Sequence, residues 1–182
     1  TNYQAANQIA LKLSTITFMV ALGLSIAATI RIGNQKGLND FVNLRRIAIS
    51  FFFMIILIEI LFAIIFLLAS NFLPWLYLEK ISSYDIMETA NIASKLLLIV
   101  ALFQIFDGIQ IVAQGSLRGI QDVKTPSLIC FFSYVCFGIP VMTYLGLYTE
   151  FKALGVWIGF LVGLAIASIL LSIRFFNKCN LE

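Results

Sequence analysis

The stretch Ile47-Ala-Ile-Ser50-Phe-Phe-Phe-Met-Ile-Ile-Leu-Ile-Glu59-Ile-Leu-Phe-Ala-Ile-Ile-Phe-Leu-Leu-Ala69 is apolar throughout except at Ser50 and Glu59. Its apolar residues run on without alternating with polar ones, so the two-residue period of an outer-membrane barrel strand is absent and a helix is the better reading. Crossing about 30 Å of hydrocarbon takes roughly twenty helical residues at about 1.5 Å each. This stretch is long enough to do so.

The rest of the 182-residue chain follows suit: 61% of it is hydrophobic and 12% is charged, about half the roughly 25% charge of a soluble domain. A globular core of this size could not hide so much apolar surface, whereas lipid can serve as the solvent for the outer faces of bundled helices. We therefore expect an all-α polytopic transmembrane helix bundle, with spans near 6–31, 46–70, 89–117, 126–147 and 154–176. Residues 1–180 form a single unit on this reading. The chain starts at Thr1 without a methionine or a signal-peptide pattern, which reads as a portion of something longer, and Leu181-Glu182 reads as a cloning scar.

The basic residues fall where topology signals fall. Segment 31–46 carries Arg31, Lys36, Arg45 and Arg46 against Asp40, whereas 71–88 carries Lys80 against Glu79, Asp85 and Glu88. Arg118 and Lys124 follow, then Glu150 and Lys152, then Arg174 and Lys178. The positive-inside rule then puts the N-terminus outside and the C-terminus in the cytoplasm, in a cell inner (plasma) membrane, with Trp75, Tyr77 and Tyr84 as an external aromatic belt. Lys12 and Lys95 read as snorkelling anchors. A net charge of +3 spread in this way forms no nucleic-acid surface. The absence of histidine excludes imidazole triads and His-containing zinc sites. Cys130, Cys136 and Cys179 lack CxxC spacing and read as packing residues. No nucleophile and base set stands out, so we expect no enzyme, no cofactor and no resident metal.

The small residues read chiefly as packing signals. Gly155, Gly159 and Gly163 recur every four residues, and Gly115 and Gly119 form a second such pair. Pro140 inside the fourth span removes a backbone donor and is a candidate hinge or a static kink.

Charge at membrane depth is the informative exception, because an ionised carboxylate there costs at least about 2.5 kcal/mol and persists only with a partner or a function. Asp107 and Glu59 qualify. At 100° per residue, Gln104, Asp107, Gln110, Gln114 and Arg118 fall within an arc of roughly 120°, a polar stripe on an otherwise apolar helix. The stripe reads as lining a water-accessible cavity where Asp107 binds a cation or proton and the amides supply hydrogen bonds. A static hydrogen-bond network around a protonated or Arg-paired aspartate is the alternative. Glu59 is a second candidate intramembrane carboxylate with no stripe of its own. Its functional and structural readings stand side by side, the latter as a neutral group hydrogen-bonded to a facing helix.

The run Gln104-Ile-Phe-Asp107-Gly-Ile-Gln-Ile-Val-Ala-Gln-Gly115-Ser-Leu-Arg118-Gly119, followed by Asp122, Lys124 and Pro126, resembles the tenth helix and following loop of the MATE family, the multidrug and toxic compound extrusion transporters. Ala5-Ala-Asn-Gln-Ile with Phe18-Met19, Gly23, Ala27-Ala28 and Arg31-Ile-Gly33-Asn34 resembles that family's eighth helix. Gly138-Ile-Pro140 resembles its eleventh, and Gly155-Val-Trp157-Ile-Gly159 its twelfth. The resemblance covers nearly the whole chain, with Gln121 standing where the family's loop usually has glycine and Phe103 where some members have tyrosine.

It implies helices eight to twelve of twelve, most of one lobe, whose partners are the lipid bilayer, the missing N-terminal lobe and the seventh helix of the same polypeptide. It further implies a Na+- or H+-coupled antiporter that exports drugs or other amphipathic, often cationic, compounds by alternating access. Asp107 would be its cation or proton coupling residue and the place for a transported Na+. A flippase for a lipid-linked oligosaccharide or cell-wall precursor in the same superfamily is the alternative, and a non-transporting scaffold subunit a second.

Overall fold

The computed structural model describes residues 2–70, 72–73, 84–149 and 153–181. The chain is all-α: α1 (Asn2–Gly37), α2 (Phe41–Leu68), α3 (Tyr84–Gly119), α4 (Lys124–Leu147) and α5 (Ala153–Leu181). All five contain windows long and apolar enough to cross a membrane. Among the described residues there is no strand. The aromatic cluster and acidic segment expected between the second and third spans, with Glu150 and Lys152, lie outside the described side chains.

The helices outrun the apolar segments at several ends because polar residues extend them and specific turns stop them. Arg31 and Lys36 ride on the last turns of α1 and Arg45 and Arg46 on the first of α2, so the expected basic loop is mostly helix. The actual connection is 38–40. Asn39 sits at φ 55°, its N–H donates to Lys36 O, and the N–H of Asp40 donates to Gln35 O. This is a Schellman closure. Asp40 then caps α2 by accepting from the N–H of Asn43 at 3.1 Å. The end of α3 repeats the device, with Gln121 at φ 64°, its N–H on Arg118 O and the N–H of Asp122 on Leu117 O.

Successive helices run antiparallel, so α1, α3 and α5 point one way and α2 and α4 the other. Half of α3's most apolar window is covered by its neighbours, against 11% for α4, which places α3 at the centre and α4 at the rim. α1 and α3 approach through small residues. A Cβ on Gly115 would lie 2.3 Å from Ser25 Oγ, and one on Gly119 would lie 2.9 Å from Thr29 O. Across this seam Ser25 donates to Ile111 O at 2.8 Å and Thr29 to Gly115 O at 2.9 Å. α4 and α5 meet similarly, where Gly155 faces the Leu145 backbone, Gly159 faces Met142 and Gly163 faces Tyr134 and Gly138.

In α4, residues Ser133–Gly138 form a π-helical turn, in which the N–H of Ile139 donates to Tyr134 O five residues back. Pro140 lies just beyond. A proline has no N–H to give the carbonyl four residues earlier and its ring crowds that carbonyl. The wider turn accommodates both within a continuous helix.

Apolar side chains fill the bundle in two clusters. One contains Ala28, Ile32, Phe52, Ile55, Leu117, Leu171 and Phe175, and the other Ala10, Leu13, Ala63, Leu96, Val100 and Trp157. Along α2 the second cluster begins at Ala63 and the first ends at Ile55, with Glu59 between. Along α3 the break holds Gln104, Asp107 and Gly108. Glu59, Gln104 and Asp107 thus lie in one layer between two apolar ones.

Candidate functional site

A cavity of about 470 Å³ opens at this layer, lined by Ser14, Thr15, Phe18 and Met19 of α1, Phe103 and Asp107 of α3, Tyr134 of α4, and Phe160 and Leu164 of α5. Four helices contribute to it. Four of its nine lining residues are aromatic, and Asp107 is its one charged group among the described residues.

Local hydrogen bonding decides what the other polar groups offer. Ser14 and Thr15 both donate to Leu11 O, at 3.0 and 2.7 Å, as hydroxyls inside helices do when no better acceptor is near. The Tyr134 hydroxyl donates to Gln110 Oε1 at 2.8 Å. With their single hydrogens committed, these three oxygens present only lone pairs to the cavity, and an ionised Asp107 likewise only accepts. The cavity is a set of acceptors within an aromatic box.

The stripe on α3 is divided by its neighbours. Asp107 lies near the middle of the arc and faces the cavity. Gln104, at one edge, is 1% exposed and points instead toward α2, donating from Nε2 to Glu59 O at 3.3 Å. Gln110, at the other edge, is turned to α4, where it accepts from Tyr134 and its Nε2 lies 3.7 Å from Cys130 Sγ. Gln114 donates to the same sulfur at 3.0 Å and, with Arg118, lines a second cavity of about 450 Å³ with Asp122, Val123, Pro126, Ser127 and Cys130. Glu59 does not reach the first cavity. It is 1% exposed against Gly108 in the α2–α3 seam.

Beside the second cavity Asp122 is clasped by α5. Arg174 donates to Asp122 Oδ2 from Nε at 3.0 Å and Nη2 at 2.9 Å and also reaches Thr125 Oγ1, while Lys178 Nζ lies 3.3 Å from the same carboxylate oxygen. Burial alone would raise the Asp122 pKa, but these hydrogen bonds and the two positive charges outweigh it and hold the carboxyl below its ordinary range. Among the described residues no cluster of three or more His, Cys, Asp or Glu could hold a metal, and Cys130, Cys136 and Cys179 form no disulfide.

Sequence reasoning overlooked Ser14, Thr15, Tyr134 and Phe160 as cavity residues. The adjacent pair Ser14-Thr15 inside an apolar helix was a usable signal, and Tyr134, six residues before Pro140, was a weaker one.

Comparison with known proteins agrees with this architecture. The MatE family model matches residues 2–144. The chain is 38% identical over 171 residues to a probable multidrug resistance protein NorM of Agrobacterium fabrum, covering 94% of this chain and 37% of that one. Its counterpart in Rhodopseudomonas palustris is 39% identical over 176 residues, with 94% and 36% covered. This chain therefore spans little more than a third of the length of those relatives. Among solved structures, the eukaryotic MATE transporter AtDTX14 superposes with a TM-score of 0.87 at 21% identity, over 96% of this chain and 38% of that one. An outward-facing MATE family transporter of the MOP superfamily gives 0.84 at 17% identity, over 97% and 38%. At these identities the likeness concerns the fold.

Proposed function

Because this multi-pass membrane chain belongs to the MatE family, we propose that it forms most of one lobe, residues 1–180, of an antiporter in which an inward-moving Na+ or H+ drives export of amphipathic cations. The observation that carries the reading is the chemistry of the α1–α3–α4–α5 cavity. Ser14, Thr15, Asp107 and Tyr134 turn only acceptors into it, and Phe18, Phe103 and Phe160 wall it with π-faces.

Such a site attracts a small cation through oxygen lone pairs and the carboxylate charge. It attracts an organic cation through the same charge and through the aromatic faces. One negative charge cannot hold two cations strongly, so a coupling ion and a cationic substrate compete for Asp107. Competition at one site, combined with alternating access between two lobes, is sufficient for exchange. Each elementary charge moved inward supplies about 2.3 kcal/mol per 100 mV of membrane potential. The lobe would sit in the cell's inner membrane with the ends of α1, α3 and α5 near Gly37, Gly119 and Leu181 on the cytoplasmic side, where Arg31, Lys36, Arg118, Arg174 and Lys178 gather.

The flippase alternative asks for a cationic cavity to hold pyrophosphate, and the charge in this one is acidic. The scaffold alternative asks for an Asp107 enclosed by protein, and this one borders a cavity. Neither draws support from an observation of its own.

The test is drug export by the full-length parent protein in cells lacking their own efflux pumps, wild type against Asp107→Asn, at varied external Na+. We expect resistance and efflux to disappear in the variant at equal membrane abundance, with the response of the wild type to Na+ or to pH identifying the ion. Undiminished efflux in the variant would overturn the role given to Asp107.

A further inference from the structure

Glu59 lies outside the open cavity, in the α2–α3 seam, and its position follows from a missing side chain. A Cβ on Gly108 would stand 2.7 Å from Glu59 Cγ, 3.0 Å from Glu59 Oε1 and 2.8 Å from Ile55 Cγ1. The carboxyl therefore occupies the room that glycine leaves in the α2–α3 seam, 1% exposed. Gln104, one turn earlier on α3 and equally buried, donates its amide N–H to the main-chain carbonyl of Glu59. That bond commits Nε2 of Gln104. Its Oε1 is left buried without a hydrogen-bond partner, and so is Oε2 of Glu59.

Two acceptors belonging to one residue pair are thus orphaned in the same seam, and the site is short of one hydrogen. Buried polar groups in folded proteins are almost always satisfied, and an ionised carboxylate sealed at membrane depth adds a charge with no counter-ion. A protonated carboxyl removes the charge and turns one of the two acceptors into a donor for the other. The charged group that acts on Glu59 is Asp107, on α3 beside Gly108. Negative charges on both sides of Gly108 would repel one another, and a proton on one of them removes the repulsion.

We infer that Glu59 and Gln104 form a proton-binding site in the α2–α3 seam, separate from the cavity at Asp107, in which Glu59 Oε2 donates its proton to Gln104 Oε1. The proton enters and leaves only when α2 and α3 part at Gly108. The inference goes beyond the antiport reading and does not depend on it, since it concerns the resting protein without ligand.

The test is infrared spectroscopy of the purified full-length parent protein at neutral pH, in H2O and after transfer to D2O. A carboxylic-acid carbonyl band is expected in the wild type, retained in Asp107→Asn and lost in Glu59→Gln, whose amide can make the same bond to Gln104 and should preserve the fold. An ordered water donating to both oxygens beside an ionised Glu59 is the competing arrangement. It gives no acid band that Glu59→Gln removes, and that result would overturn the site. In D2O the band should shift slowly in the wild type and several-fold faster in Gly108→Ala, where the added methyl forces the seam open. Ile55→Ala, which loosens the same contact by removing bulk, serves if Gly108→Ala does not fold. Exchange as fast as that of a solvent-exposed acid in the wild type, or unchanged in both variants, would overturn the claim that the seam controls access.

Discussion

The hydroxyl of Tyr134 on α4 donates a 2.8 Å hydrogen bond to Oε1 of Gln110 on α3, tying the rim helix to the central one at the edge of the cavity. Tyr134 stands on the π-helical turn that precedes Pro140. Replacing Tyr134 by Phe keeps the ring but strands Gln110 Oε1. The expected cost is about 1–3 kcal/mol, read as a lower melting temperature of the full-length protein in detergent. The Gln110→Leu, Tyr134→Phe double variant should recover part of that loss, because both partners of the bond are then gone. Additive losses in the cycle would show that the two side chains do not interact.

Glycine at 115 and glycine at 23 make a controlled comparison. A methyl on Gly115 would meet Ser25 Oγ at 2.3 Å and Ser25 O at 2.5 Å, whereas one on Gly23 meets nothing within 4 Å. Gly115→Ala must push α1 off α3 and break the Ser25–Ile111 hydrogen bond, a loss of about 1–3 kcal/mol or more. Gly23→Ala should be neutral or slightly stabilising, since alanine is the better helix former. Thermal unfolding of the two variants side by side measures the difference, and equal melting temperatures would contradict the close seam.

Much of this architecture was legible in the sequence, and the residues show why. Continuous apolarity in Ile47–Ala69 requires a spanning helix whatever surrounds it, and the polar arc on the third helix is a property of that helix alone. Which neighbour each part of the arc meets is a property of pairs of helices. Gln104 and Gln110 lie at opposite edges of one arc and so face α2 and α4, leaving Asp107 in the gap between them. No single-helix periodicity contains that. Asp122 and Arg174 are 52 residues apart in the chain, so Arg174 read as a topology signal and its carboxylate partner emerged only with the fold. The helix ends were set by left-handed residues at 39 and 121, and neither is glycine, the usual marker of such a stop.

Gln121 follows from that last point. Its φ of 64° places a residue with a Cβ in the left-handed region, where L residues other than glycine pay roughly 1–2 kcal/mol. Gln121→Gly relieves the strain while keeping both Schellman hydrogen bonds, and part of the gain is lost to the greater freedom of glycine in the unfolded chain. We expect a net stabilisation of up to about 1 kcal/mol, seen as a higher melting temperature with the same cavity chemistry. A lower melting temperature would mean that the glutamine side chain makes a compensating contact.

The clasp between Asp122 and the end of α5 should appear as a pH-dependent stability. Burial works against ionisation of Asp122, but the Arg174 and Lys178 contacts prevail and set its folded-state pKa below that of the unfolded chain. A depressed carboxylate pKa contributes stability that is fully present above the unfolded value, about 3.9, and that fades as pH falls through the lower folded value. Melting temperature measured against pH for wild type and Asp122→Asn should therefore show a constant gap from neutral pH down to about 5, narrowing below about pH 4 as the wild-type carboxylate takes up its proton. Asparagine can still accept from Arg174, so the gap isolates the charge. Arg174 and Lys178 are each about a third exposed and screened by solvent, which keeps the effect modest and makes it shrink with added salt. A gap that stays constant below pH 4 would mean that the side chain acts through its shape and hydrogen bonds alone, with no contribution from the ion pairs.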